Sequence, residues 1–355
     1  MTGDRITRLT ARLLNAPLRE SFEIATGGQA RAANVLVELR LADGTRGYGE
    51  CAPFPDFNGE TQTRTLRAVR AQAGLLTGRR AASAGALAKE LAERLPRCGA
   101  ARAGLEMALL DAWSRCRHFP LRVFFGGAET RLATDITIPI TPSEHARRSA
   151  RRHARCGINT LKIKIGRDAD EDLERIAAVR DGHPRARLLL DANGGYDADG
   201  ALRLLRRLSR LGIRPALFEQ PVPREDLAGL RIVSRRIPVA ADESASSLRD
   251  VLRLARRKAV QVVNIKPMKC GLFESLDIAR TARAAGMKLM IGGLVESRLA
   301  MTCSAHFAAG LGGFSFVDLD TPLFFTRDPM RGVPIRRGGV YDLSRVRAGI
   351  GVVPK

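Results

Sequence analysis

The stretch Thr160-Leu161-Lys162-Ile163-Lys164-Ile165-Gly166 decides the reading of this chain. Side chains alternate across a β-strand, so both lysines fall on one face and the apolar residues on the other. Two ammonium groups held side by side make each other's protonated state more costly. This predicts at least one lysine of lowered pKa, able to act as a base near neutrality. An isolated Lys-x-Lys is more often a pair of solvated lysines on a surface strand. The sequence on either side reverses that balance.

Working outward, short β-rich runs at 136–140, 161–165, 188–191, 216–219, 239–242, 262–266, 289–292 and 314–318 are each followed by a segment of helical Arg/Ala/Leu pattern. Chemically distinctive residues stand near the ends of successive runs. Lys164 precedes Asp191 by 27 residues, Asp191 precedes Glu219 by 28, Glu219 precedes Asp242 by 23 and Asp242 precedes Lys266 by 24. Each interval is about one βα repeat, the pattern of a (β/α)8 barrel whose site lies at the C-terminal face. A doubly wound open sheet is the alternative, but no Gly-x-Gly-x-x-Gly follows the first strand of this region.

On such a face Asp191, Glu219 and Asp242 converge from three neighbouring strands, and three carboxylates with waters make a hard-oxygen site suited to Mg²⁺. A single Asp at a strand end is commonly a helix N-cap. Three such residues in Leu-Asp-Ala-Asn, Phe-Glu-Gln-Pro and Ala-Asp-Glu-Ser contexts point to a site instead. Lys266, in Asn264-Ile265-Lys266-Pro267, then faces Lys162 and Lys164 across the barrel mouth.

The remainder of the chain bounds this reading. With 355 residues, 45% hydrophobic and 27% charged, it can bury a full core as one large domain with a smaller companion. No apolar run is long enough to cross a bilayer and no signal-peptide core follows Met1, which places the protein in the cytoplasm and off the membrane. Six scattered cysteines without a Cys-x-x-Cys pair suggest reduced thiols. The net charge of +22 raises the question of a nucleic-acid partner. However, Arg147, Arg148, Arg151, Arg152 and Arg155, and later Arg203, Arg206, Arg207 and Arg210, recur at helical spacing, as solvated faces do. One tryptophan and three tyrosines supply little for base stacking. No specific nucleic-acid partner is expected, and a homo-oligomer is compatible with the composition.

At the N-terminus, 6–18, 34–41 and 47–51 read as antiparallel strands, with Ala42-Asp43-Gly44-Thr45 as a hairpin turn. Glycine-bearing loops are expected at 21–30 and 52–59, placed to cover a ligand. From Glu60 to Arg117 the pattern is helical, with breaks near Pro96 and Gly99.

Taken together, Lys-x-Lys, Asp-Ala-Asn, Glu-Gln-Pro, Ala-Asp-Glu-Ser and Ile-Lys-Pro, in this order and spacing, resemble the enolase superfamily in its muconate-lactonizing-enzyme-like branch, over nearly the whole chain. The resemblance implies an α/β fold, a modified (β/α)7β TIM-like barrel at 126–322. An α+β capping domain at 1–125 is completed by a C-terminal tail at 323–355. It implies Mg²⁺ on Asp191, Glu219 and Asp242, acid/base roles for Lys164 and Lys266, and support of the charged intermediate by Lys162. A lysine base with Mg²⁺ stabilising an ene-diolate is the pattern of that superfamily. Asn193 and Glu243 stand beside the ligands as supporting residues.

Within the branch, Asp318 and Asp320 in Phe316-Val317-Asp318-Leu319-Asp320-Thr321 resemble the Asp-x-Asp of dipeptide epimerases of the L-Ala-D/L-Glu type. There the motif implies binding of a substrate's free α-ammonium group. Thr137 and Glu296 are further candidates to face the substrate. Thr26 stands where epimerases acting on Ala-Glu often carry Arg, so the second substrate residue is as readily neutral or cationic as acidic, given Glu23 and Asp56 nearby. The expected function is Mg-dependent epimerisation of a dipeptide by two-base proton transfer. The alternatives are N-succinylamino acid racemase, o-succinylbenzoate synthase or cycloisomerase activity and, outside enzymes, a basic nucleic-acid-binding or scaffold protein.

Overall fold

The computed structural model describes residues 3–24 and 27–355. Alternating apolar residues build an antiparallel sheet of β1 (Ile6–Ile24), β2 (Gly27–Leu41) and β3 (Arg46–Cys51). The β2–β3 turn is closed by Leu41 N donating to Thr45 O, with Gly44 at φ +85°. Where a loop is expected at 21–30, the described residues form ladder instead, with Phe22 opposite Gln29, Glu23 opposite Gly28 and Ile24 opposite Gly27. Continued pairing satisfies backbone groups that a loop would leave to solvent.

Helices Gln62–Arg70, Ala84–Arg94 and Gly99–Cys116 follow, the break falling at Leu95–Cys98 as Pro96 and Gly99 predict. The Gly99–Cys116 helix is buried along almost its whole length because β3 lies directly on it. Gly49 makes that contact close, since a Cβ there would sit 1.9 Å from Gly104 O.

After β4 (Arg131–Ala133), eight parallel strands run in sequence order around a barrel. They are β5 (Ile136–Ile138), β6 (Thr160–Lys164), β7 (Arg187–Asp191), β8 (Leu217–Glu219), β9 (Val239–Ala241), β10 (Val262–Ile265), β11 (Lys288–Ile291) and β12 (Phe314–Val317). All lie within a residue or two of the sequence assignment. The ladder runs unbroken from β5 to β12, and the seam between these two is stitched by Asp135 N donating to Val317 O and by Leu319 N donating to Thr134 Oγ1. Seven strands are followed by helices. After β12 comes only a short 3₁₀ turn, Thr321–Leu323, and then the tail.

Alternation sorts the strand side chains into two cores. Ile163, Leu188, Leu190, Phe218, Val263 and Ile291 face outward and join the main cluster with the helices. Leu189, Leu217, Ala240, Val262, Met290 and Phe316 face inward and form a separate apolar floor within the barrel. One pleat further along β7, β8, β9 and β12, the inward position carries a carboxylate: Asp191, Glu219, Asp242 and Asp318.

The tail forms small sheets of its own. Met330–Gly332 pairs with Val352–Pro354, and Val340–Asp342 pairs with β4. It is fastened to the Gly99–Cys116 helix by Asp111, whose carboxylate accepts from Ile350 N, and by Arg115, which donates to Val352 O. His306 clamps the same junction, with Nδ1 accepting from Arg122 N and Nε2 donating to Ile350 O. Burial lowers the His306 pKa from 6.5 to about 4, so the folded ring resists a proton that the unfolded chain takes up near 6.5. This contribution to stability is complete above pH 6.5 and is lost as pH falls towards 4, amounting to about 3 kcal/mol at most. Urea midpoints across that window test it, with His306→Gln expected to flatten the fall. An equal slope in parent and variant would show that His306 is not the group responsible.

Candidate active site

The charged layer is assembled by register. Thr137 lies opposite Lys162, Lys164 opposite Asp191, and Asp191 opposite Glu219, so residues far apart in sequence reach one level of the barrel. Asp242 follows β9 and Lys266 follows β10 at the same mouth. β6 and β10 are four places apart in a ring of eight, which sets Lys164 and Lys266 across the barrel from each other. One cavity is lined by Lys162, Lys164, Lys266, Asn193, Thr137, Asp318 and Asp320, and roofed by Phe54, Phe57, Leu294 and Val295. A larger cavity of about 940 Å³ lies between the Ser143–Arg155 helix and the tail. None of the lysines or carboxylates of the barrel mouth lines it, so we place the chemistry in the smaller one.

Lys162 Nζ is 2.9 Å from Asp191, 2.8 Å from Glu219 and 2.6 Å from Asp318. Lys164 is 2.6 Å from Asp191 and 3.0 Å from Asn193 Oδ1, while Lys266 is 2.6 Å from Asp242. At Lys162 these contacts reverse the lowering expected from a neighbouring ammonium. Burial does lower Lys162, but Asp191, Asp318 and Glu219 outweigh it and hold the group well above its usual range. Lys266 is raised in the same way, with Asp242 and Glu219 overcoming burial. In the carboxylates burial works against Lys162 and Lys164 at Asp191, which ends at about 2. At Glu219 burial and Asp191 combine to raise the group to about 6.

The donor set fits a hard cation. Asp191, Glu219 and Asp242 are fully buried oxygen donors, and Glu219 Oε2 and Asp242 Oδ1 accept no hydrogen bond, meeting only lysine ammonium groups. Lys162 lies between Asp191 and Glu219 and keeps these carboxylates apart. Among the described residues, the acidic trio whose oxygens come within 4.8 Å of one another is a different one, Asp135, Asp318 and Asp320.

Supporting contacts are extensive. Asn193, in the left-handed region at φ +44°, bridges Lys164 and Glu243. Asp320 accepts from Thr137 N at 2.6 Å. Glu296 is fully buried and does not line the cavity. Its Oε1 accepts from Leu294 N, so it shapes the loop that carries Leu294 and Val295. Glu50 reaches from β3 to the same loop, accepting from Ser297 and Asn34, and thereby joins the N-terminal sheet to the barrel. Thr26 lies outside the described residues. Three residues escaped the sequence reading: Asp135, Asn264, which donates to Glu219 Oε1 at 2.7 Å, and Lys269, 2.6 Å from Asp242. Asp135 and Asn264 share the strand parity of Thr137 and Lys266, the signal that could have found them.

A parallel barrel with carboxylates and lysines at the C-terminal ends of its strands, closed by a separate N-terminal sheet, defines an enzyme of the enolase superfamily. Within it the chain belongs to the mandelate racemase / muconate lactonizing enzyme family: residues 7–126 match that family's N-terminal domain and residues 145–355 the enolase C-terminal domain-like model. The chain is 48% identical over 350 residues to an aromatic dipeptide epimerase of Herpetosiphon aurantiacus, with 98% of each chain covered. It is 40% identical over 361 residues to a hydrophobic dipeptide epimerase of Citrifermentans bemidjiense, covering 99% of this chain and 98% of that one. The crystal structure of a dipeptide epimerase from Enterococcus faecalis, complexed with Mg and L-Leu-L-Tyr, matches at a TM-score of 0.94 and 30% identity, over 98% of this chain and 99% of that one.

Proposed function

We propose that this protein is a Mg²⁺-dependent dipeptide epimerase that inverts an α-carbon by two-base proton transfer between Lys164 and Lys266. The observation that carries this reading is the placement of these two lysines on opposite walls of one cavity, beside three buried carboxylates. A proton on carbon next to a carboxylate is very weakly acidic, and its removal places a second negative charge on that carboxylate. Mg²⁺ on Asp191, Glu219 and Asp242 supplies positive charge against it. Lys162 adds a fixed ammonium at the same level, while one of Lys164 and Lys266 takes the proton and the other returns one to the opposite face.

Asp318 and Asp320 receive the substrate's α-ammonium group. Phe54, Phe57, Leu294 and Val295 present an apolar roof, which suits neutral, apolar or aromatic side chains better than acidic ones and agrees with the substrates named for the relatives above. All six cysteines are unpaired, which supports a reducing compartment such as the cytoplasm.

Asp318→Asn is expected to lower kcat/KM for a dipeptide by about one to two orders of magnitude, because a charge-assisted contact is worth roughly 1.5 to 3 kcal/mol. An N-acetylated dipeptide is a poor substrate for the same reason. Dipeptide, N-acetyl dipeptide and N-succinyl amino acid are to be compared on one preparation with Mg²⁺. A preference for the N-succinyl compound, with Asp318→Asn harmless on dipeptides, would transfer the assignment to the racemase or synthase alternative.

A further inference from the structure

Asp135 immediately precedes β5 and lies on the inward parity of Thr137. Its backbone N–H is spent on the barrel seam, donating to Val317 O at 2.8 Å, which sets its carboxyl beside Asp318. The residue is 2% exposed and neither of its carboxyl oxygens has a hydrogen-bond partner. It does not line the cavity. The other two members of the acidic trio are provided for: Asp318 has Lys162 at 2.6 Å and Asp320 has Thr137 N at 2.6 Å. The charged groups facing Asp135 are Asp318 and Asp320 from the end of β12 and Lys162 from β6, and that single ammonium is already shared by Asp191, Glu219 and Asp318.

A buried ionised carboxylate without a donor is costly, and three with oxygens within 4.8 Å of one another are more so. One member of such a cluster keeps a proton, as in paired catalytic carboxyls. Geometry selects the member. Lys162 donates to Asp318 and Thr137 N donates to Asp320, a group that burial and Asp318 raise to about 7, whereas Asp135 has no donor and faces another carboxyl. As an acid, Asp135 turns that unfavourable contact into an O–H···O⁻ hydrogen bond to Asp318, the short and strong kind. Burial and the charges of Asp318 and Asp320 act in the same direction, raising the group well above the usual carboxyl range. The change also suits the chemistry. A lysine that is to accept a proton must start neutral, and an uncharged Asp135 removes one negative charge from the barrel to match.

We propose that Asp135 is a positioning residue that carries a proton and donates it to Asp318, fixing the carboxylate that receives the substrate's ammonium group. The role assigned to Asp318 rests on the reading above, but the proton on Asp135 does not. Two measurements therefore separate them. In the full-length protein at neutral pH, the infrared difference between parent and Asp135→Asn is expected to show the C=O stretch of a neutral carboxylic acid, shifted in D₂O. This needs no substrate and no turnover. In kinetics, Asp135→Leu removes the donor and is expected to raise KM for a free dipeptide about tenfold with kcat changed less, while Asp135→Asn, whose amide still donates, restores KM to within about twofold of the parent. Absence of the acid band would overturn the proposal. So would an Asp135→Asn variant as impaired in KM as Asp135→Leu, since that outcome assigns Asp135 the charge of an anion. Should Asp135→Leu fail to fold, the infrared band and the KM of Asp135→Asn decide.

Discussion

Lys164→Ala and Lys266→Ala are each expected to abolish net epimerisation, a loss of at least two to four orders of magnitude, the range that a positioned acid or base supplies. Inversion needs removal on one face and delivery on the other, and the two lysines stand at the ends of β6 and β10, half a barrel apart. Neither substitutes for the other. The informative readout is isotope exchange in D₂O with both diastereomers of one dipeptide. Each variant retains one base, so Lys164→Ala is expected to exchange the α-proton of one diastereomer only and Lys266→Ala that of the other. Exchange of both diastereomers by either variant, or wild-type turnover in both, would dismiss the two-base assignment. The raised state of Lys266 has a visible cause in the 2.6 Å contact with Asp242. A base must shed its proton first, so whatever draws Asp242 away from Lys266 prepares it for that role.

Exhaustive EDTA treatment is expected to eliminate activity, and Mg²⁺ to restore it. Six buried carboxyls, Asp135, Asp191, Glu219, Asp242, Asp318 and Asp320, share the barrel mouth with four lysines, Lys162, Lys164, Lys266 and Lys269. A divalent ion held by Asp191, Glu219 and Asp242 would offset that imbalance and would free lysines that otherwise neutralise them. A second readout is independent of turnover. The Tm is expected to rise with Mg²⁺ concentration as a ligand that binds only the folded state requires, by about 2.7 kcal/mol of stabilisation at a hundredfold excess over Kd. Asp242→Asn is expected to abolish that dependence, because Asp242 and Glu219 hold the oxygens that accept no hydrogen bond. Undiminished turnover after metal removal, with a Tm indifferent to Mg²⁺, would refute the assignment of these three carboxylates.

The sequence alone determined the barrel and the residues at its mouth, because both follow from local rules. Alternation puts Lys162 and Lys164 on one face, and βα repeats of 23 to 28 residues carry Asp191, Glu219, Asp242 and Lys266 to the same end. Anything that depended on groups meeting across the ring was decided by tertiary structure. The sign of the Lys162 shift is the clearest case: its neighbour in sequence is an ammonium, but three carboxylates from β7, β8 and the end of β12 lie within 2.9 Å, and Coulomb energy depends on distance in space. Asp135 went unseen for the same reason, since its meaning comes from Asp318, brought beside it only when the seam between β5 and β12 closes. Glu296 looked toward the substrate in sequence and turned out to be committed to Leu294 N, a backbone need that emerges only with the loop's conformation. The outer pairing of β1 with β2 had no local signal either: residues 21 to 30 read as a loop, and only pairing across the ladder turned Phe22, Glu23, Ile24, Gly27, Gly28 and Gln29 into sheet.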